Sequence, residues 1–150
     1  MPTIREQLIG TWRLVSYETV GIDGSAVQPM GRNAVGFIMY LADGFMSANL
    51  MVPGRPLLTG GGASTATQSE LSAASAGYFG YAGQYEVDET EHAVRHHIEL
   101  ALVPNLVGST QFRRVAFDGA RLILEGEPVP MAGRIAAPVI TWERVDTQGI

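Results

Sequence analysis

The feature that most constrains the fold is a pair of alternating runs, one near each end of the chain. Gly10–Glu18 follows a short helix-like opening, carries Trp12, and alternates apolar with polar residues. Ile140–Val145 alternates in the same way and includes Arg144. Such alternation is typical of a strand with one buried face. If the first strand pairs with the last, the sheet closes into a barrel.

The sequence between these runs predicts further strands joined by tight turns. Strands are expected at about 34–41, 45–51, 82–88, 92–103, 110–117 and 121–125, with most of the 18 glycines between apolar runs. Asp43-Gly44 and Asp118-Gly119 are hairpin signals. The first of these would place Phe37 opposite Asn49 and Met39 opposite Ser47 across the hairpin. The fold class expected is all-β, an antiparallel up-and-down barrel of about eight strands, with room inside for side chains or one small ligand.

Two capping boxes predict the helices. Thr3 with Glu6 should begin one or two helical turns, and Thr67 with Glu70 should begin a longer helix that extends to about Phe79. The second helix follows a Gly- and Pro-rich segment, 52–66, as a lid over one barrel end would.

The amino-acid composition limits the classes of protein to which this chain can belong. With 46% hydrophobic and 17% charged residues, residues 1–150 should form one globular domain. A net charge of −5 without a basic cluster argues against a nucleic-acid partner. The absence of cysteine excludes disulfides and thiolate chemistry. No run approaches the roughly 20 apolar residues that span a membrane, and the first ten residues lack the apolar core of a secretory signal. We therefore expect a cytoplasmic monomer or homodimer.

Candidate polar chemistry lies on two neighbouring strands. His97 and Glu99 share one face of the predicted strand 92–103, and that face could oppose Gln111 and Arg113 of the next strand. Turned inward, these four side chains would form a polar cluster in which Glu99 pairs with Arg113. The cluster would orient a ligand carbonyl or carboxylate, or His97 would act as a general acid or base.

The opposite orientation remains open. The other face of the same strand is more apolar and also requires burial, which would turn His97 and Glu99 to solvent. That face carries Val94, His96, Ile98, Leu100 and Leu102. We favour the inward orientation of His97 and Glu99.

Other ligand-binding and metal sites have weaker support. Tyr40, Ser47, Asn49 and Tyr85 could add hydrogen-bonding groups at the barrel mouth. His97 and Glu99 would lie about 6.6 Å apart along a strand, with no evident third ligand for a metal. Neither a metal nor a cofactor is therefore expected.

Five segments together resemble the calycin superfamily, and specifically the lipocalin-like domain family of small bacterial and fungal proteins. They are Gly10–Leu14, Tyr40–Ser47, Tyr81–Val87, His96–Glu99 with Pro104–Gly108, and Thr141–Arg144. Gly10-Thr11-Trp12 is similar to the Gly-x-Trp motif that opens the first strand of lipocalins. The resemblance implies an eight-stranded barrel whose base is closed by Arg144 packed across Trp12.

The function expected is binding of a small apolar or amphipathic molecule in the barrel, with Arg113, Glu99 and His97 fixing its polar end. The alternative is a cofactor-independent cyclase, isomerase or hydratase that acts on a small hydrophobic metabolite in the same cavity, with His97 and Glu99 as catalytic candidates. A third possibility is a structural protein whose interior is filled core.

Overall fold

The fold is a sheet that closes on itself, and the computed structural model describes residues 1–146. Two helices, α1 (Ile4–Leu8) and α2 (Gln68–Ala76), accompany the strands. The strands are β1 (Gly10–Gly21), β2 (Ala26–Val27), β3 (Val35–Tyr40), β4 (Phe45–Met51), β5 (Tyr78–Asp88), β6 (Ala93–Ala101), β7 (Thr110–Asp118), β8 (Arg121–Glu125), β9 (Val129–Met131) and β10 (Arg134–Arg144).

Pairing of the first and last long strands closes the barrel. β1 runs antiparallel to β10 from Trp12 opposite Arg144 to Gly21 opposite Ala136. Within residues 1–146 eight strands complete the circle, while β2 and β9 add short edges to β1 and β10. The prediction of an eight-stranded antiparallel up-and-down barrel is confirmed. The single-domain range 1–150 stays a prediction, and its last four residues lie outside the described residues.

One barrel end is closed by the N-terminal segment. The Trp12 indole N–H donates to the Leu8 carbonyl at 2.9 Å, and the Arg144 guanidinium lies 4.1 Å from the Trp12 ring centroid. Arg144 also donates to the carbonyls of Gln7 and Ile9. A Cβ at Gly10, where φ is +131°, would meet the Arg144 guanidinium at 2.7 Å. The predicted packing of Arg144 across Trp12 is confirmed.

The hairpin between β3 and β4 has the predicted register. Phe37 lies opposite Asn49 and Met39 opposite Ser47, and Gly44 adopts a positive φ in the connecting turn. Because Ile38 and Tyr40 are buried on the other side of β3, these four side chains lie on the outer face of the barrel.

Helix α2 begins as predicted but ends early. Thr67 and Glu70 form the capping box, whereas Tyr78 and Phe79 belong to β5 and pair with Met51 and Leu50. The expected end near Phe79 is wrong because two aromatic residues after Gly77 gain strand partners on β4. The helix buries none of its side chains, and its role as a lid stays a prediction. In the described residues no helix is long and apolar enough to cross a membrane.

A bulge in β6 changes which side chains face inward. Ala82 lies opposite Leu100 but Gly83 lies opposite Ile98, so Glu99 is the extra residue. A Cβ at Gly83 would collide with the His97 carbonyl oxygen, which explains glycine at this close approach. Beyond the bulge Leu100 is 69% exposed, and the prediction that it shares the face of Ile98 is wrong.

Candidate functional site

The face of β6 that lines the barrel is the apolar one. His96 is 1% exposed between buried Val94 and Ile98, whereas the His97 side chain is 38% exposed. On the outer face, His97 Nδ1 lies 2.9 Å from Thr110 Oγ1 and Glu99 accepts a long contact from Gln84 at 3.5 Å. The favoured inward orientation of His97 and Glu99 is therefore wrong. Burial of the apolar side chains of Val94 and Ile98 turns their face of β6 toward the barrel interior and the opposite face toward solvent.

The register of β6 with β7 separates the four predicted cluster residues. Val94 lies opposite Arg113 and His96 opposite Gln111. Arg113 and Gln111 consequently share the inner side with His96 and not with His97 or Glu99. The predicted pair of Glu99 with Arg113 does not form, and Arg113 faces the barrel interior without it.

His96 joins two tyrosines inside the barrel. Its Nε2 lies 2.6 Å from the Tyr40 hydroxyl and its Nδ1 lies 2.7 Å from the Tyr81 hydroxyl. Burial lowers the pKa of His96 to about 3, with smaller contributions from the charges of Arg113 and His97. Burial also raises the pKa of Tyr81 to about 12. At neutral pH the three side chains are thus an uncharged hydrogen-bonded unit.

Sequence reasoning left His96 without a role, although a signal was present. A histidine between Val94 and Ile98 on an apolar strand face must satisfy both ring nitrogens after burial. Tyrosine is a natural partner, because its ring packs in a core while its hydroxyl donates or accepts.

A small cavity adjoins this unit. Its volume is about 60 Å³, which exceeds the roughly 10–15 Å³ that a single water molecule needs. Trp142 also lines it, and the buried indole N–H of Trp142 has no hydrogen-bond partner among residues 1–146. The lining residues are Tyr17, Ile38, Ala48, Leu50, Phe79, Tyr81, His96, Arg113, Leu124, Pro138, Ile140 and Trp142.

A wider opening, the Arg113 mouth, adjoins the cavity through the barrel wall. The pairing of β7 with β8 begins only at Arg114 opposite Glu125, so residues 110–113 extend past the end of β8. The volume there is about 380 Å³, within the roughly 300–1,000 Å³ of small-molecule sites. The mouth is lined by Tyr17, Thr110, Gln111, Phe112, Arg113, Glu127, Val129, Met131 and Pro138, of which Tyr17, Arg113 and Pro138 also line the cavity.

Arg113 lies at the junction of cavity and mouth. Its guanidinium donates to the Phe112 carbonyl at 2.8 Å, and no carboxylate within residues 1–146 forms an ion pair with it. Glu127 of the mouth lies 3.4 Å from Arg114 instead. Burial raises the pKa of Tyr17, and the charge of Arg113 opposes that shift. A half-buried guanidinium without a carboxylate partner can bind a ligand oxygen.

The remaining predicted ligand-binding residues lie elsewhere. Tyr40 is fully buried, and the Tyr85 hydroxyl donates to the Leu41 carbonyl at 2.7 Å, near the closed end. On the outer face, the Tyr78 hydroxyl donates to Asn49 at 2.6 Å and Asn49 donates to Ser47 at 3.1 Å. None of these four predicted residues lines the Arg113 mouth.

A second depression, the outer cleft, lies where β1 and β3 diverge. The two strands pair only from Gly10 to Arg13, and the cleft beyond has a volume of about 350 Å³. It is lined by Arg13, Leu14, Val35, Gly36, Phe37, Asn49, Leu50, Met51 and Tyr78. Within residues 1–146 no group of three or more His, Asp or Glu side chains is placed to hold a metal ion.

A closed barrel with an internal cavity and a lateral mouth is an architecture that suits small-molecule binding. The chain belongs to the lipocalin-like domain family, whose sequence profile matches residues 9–145. It is 33% identical over 107 residues to the 4'-hydroxy-3'-methoxypropiophenone carrier protein ppsC of Aspergillus oryzae, covering 67% of this chain and 96% of that protein.

A solved structure of a lipocalin-like protein from Bacteroides uniformis is 15% identical to this chain, with a TM-score of 0.45. The match covers 92% of this chain and 98% of that one. The family and the carrier relative support binding of a small molecule in general.

Proposed function

We propose that this protein is a carrier of a small amphipathic molecule, which occupies the interior cavity and the Arg113 mouth. The observation that carries the proposal is Arg113, which faces inward, lines both spaces and has no carboxylate partner in the described part of the chain. The apolar body of such a ligand would contact Phe112, Val129 and Pro138 of the mouth, while an oxygen of the ligand accepts from Arg113.

The relative's name supports a narrower ligand class. Aspergillus oryzae ppsC is named for 4'-hydroxy-3'-methoxypropiophenone, a compact aryl ketone. That molecule combines an apolar ring and a short alkyl arm with several oxygen acceptors, and these groups are complementary to the apolar lining and to the Arg113 guanidinium. We propose aryl ketones and related small phenolic compounds as the ligands of this chain.

The geometry favours binding over the catalytic alternative. The cyclase, isomerase or hydratase hypothesis relied on His97 or Glu99 inside the cavity, and both lie on the outer face. The one interior histidine, His96, has its pKa lowered to about 3 and is a weak base near neutral pH.

Removal of the Arg113 charge should weaken binding. The probe is 4'-hydroxy-3'-methoxypropiophenone, titrated by calorimetry into the wild type and into Arg113→Met, which keeps an apolar stem of similar length. We expect the dissociation constant to rise about 10- to 100-fold, because a hydrogen bond from a charged donor contributes about 1.5–3 kcal/mol.

Arg121→Met is the matched control, since Arg121 is exposed at the opposite end of the barrel and should leave the affinity unchanged. Equal affinities for the wild type and Arg113→Met would contradict the proposed role of Arg113. Absence of binding by the wild type would contradict the proposed ligand class.

A further inference from the structure

The two hydrogen bonds that join Tyr40, His96 and Tyr81 have a definite donor-to-acceptor order. A neutral imidazole carries one N–H and one acceptor nitrogen, so one tyrosine donates to the ring and the other accepts from it. Tyr40 is fully buried and does not line the cavity, and its hydroxyl has no other hydrogen-bond partner in residues 1–146. Tyr81 does line the cavity.

The burial of Tyr40 selects one tautomer. If Tyr40 donates to Nε2, then the Nδ1–H of His96 donates to the Tyr81 oxygen, and the Tyr81 proton is free to point into the cavity. In the opposite tautomer the Tyr40 proton is left in the core without an acceptor, which carries the full cost of an unmade buried hydrogen bond. The first arrangement leaves no hydrogen-bonding atom of the three side chains unpaired except the one that faces the cavity.

We infer that His96 is held as the Nδ1–H tautomer and acts as a positioning residue that presents the Tyr81 hydroxyl as a donor to the cavity. The cavity then offers two donors, the Tyr81 O–H and the Arg113 guanidinium. The inference rests on the proposed function and specifies its ligand. The group that enters the cavity is a hydrogen-bond acceptor, namely a carbonyl oxygen with a short alkyl substituent.

Size supports the same ligand group. The cavity of about 60 Å³ is well below the roughly 150 Å³ of a protein cavity that binds benzene, whereas the mouth of about 380 Å³ is larger. An aryl ketone would therefore insert its acyl arm and leave its ring in the mouth. An alkyl arm without the carbonyl would fill the same space and leave the donors unpaired.

The tautomer is tested without any ligand. In a ¹⁵N-labelled sample near neutral pH, the Nδ1 of His96 should give the shift of a protonated, pyrrole-type nitrogen and Nε2 that of a bare, pyridine-type nitrogen. In Tyr40→Phe, which removes the proton that Nε2 accepts, we expect the two nitrogens to move toward averaged shifts. The reverse assignment in the wild type would overturn the inference.

Ligand selection is tested with matched probes. 4'-Hydroxy-3'-methoxypropiophenone is compared with the analogue in which a methylene group replaces the carbonyl. The wild type should bind the ketone about tenfold more tightly or better, since the methylene analogue leaves a buried donor unmet. Tyr81→Phe should lose part of this preference, because Arg113 remains as a donor, whereas Tyr78→Phe, whose hydroxyl lies on the outer face, should keep all of it.

The outcomes separate this inference from the proposed function. Equal binding of both probes by the wild type would overturn the donor assignment while the carrier function stands. Failure of both probes to bind would overturn the proposed ligand class, and the assigned ligand group with it. A ketone preference that is undiminished in Tyr81→Phe would contradict the role of Tyr81.

Discussion

Replacing Trp12 with alanine is expected to lower the free energy of unfolding by about 3–5 kcal/mol, the usual cost of removing a buried tryptophan or phenylalanine. Trp12 is 2% exposed, donates to the Leu8 carbonyl and lies under the Arg144 guanidinium. The change therefore removes core contacts of the indole ring and uncouples α1 and the end of β10 from the closed end of the barrel. Urea unfolding followed by circular dichroism measures the loss.

Trp12→Phe is the matched variant for this prediction. It keeps an aromatic ring under Arg144 but loses the hydrogen bond to Leu8, so the expected loss is clearly smaller than for alanine. A Trp12→Ala protein within about 1 kcal/mol of the wild type would show that the closed end does not hold the barrel together.

The second large effect is a loss of stability with falling pH that depends on His96. The folded protein holds this histidine neutral, with its pKa lowered to about 3 chiefly by burial. A histidine in the unfolded chain titrates near pH 6.5. Between about pH 6.5 and pH 3 the unfolded state therefore binds one proton that the folded state does not, and folding loses up to about 1.4 kcal/mol per pH unit.

The measurement is the free energy of unfolding from pH 7.5 to pH 4.5 in the wild type and in His96→Gln. Carboxylates contribute to the pH dependence of both proteins, so the difference between the two slopes isolates His96. We expect His96→Gln to be the less stable protein at pH 7.5 and to lose less stability on acidification. His97→Gln, on the outer face, should keep the wild-type slope. Parallel curves for the wild type and His96→Gln would contradict a buried neutral histidine.

Local signals account for the parts of the fold that the sequence predicted. The capping boxes at Thr3 and Thr67 and the Asp43-Gly44 hairpin depend on neighbouring residues alone. The Trp12–Arg144 contact came from a family resemblance and links residues far apart in the chain.

The candidate site was harder to predict because it depends on a bulge and on strand ends. His96 and His97 are adjacent and point to opposite faces of β6. The assignment of the inner face therefore decides which of the two histidines lies in the core. The bulge at Glu99 breaks the regular alternation that placed Leu100 on the same face as Ile98. The Arg113 mouth exists because β8 ends at Glu125 while β7 continues, and no pattern in either strand indicates where that pairing stops.

The most direct test is to locate the site at which 4'-hydroxy-3'-methoxypropiophenone binds. The indole N–H signals of the two tryptophans report that location. Trp142 lines the interior cavity, whereas Trp12 lies at the closed end with its N–H bonded to Leu8. In a ¹H–¹⁵N titration we predict that the indole signal of Trp142 shifts with saturation while that of Trp12 stays in place. A titration that moves the backbone amide signal of Met51 in the outer cleft and leaves Trp142 unchanged would contradict the account.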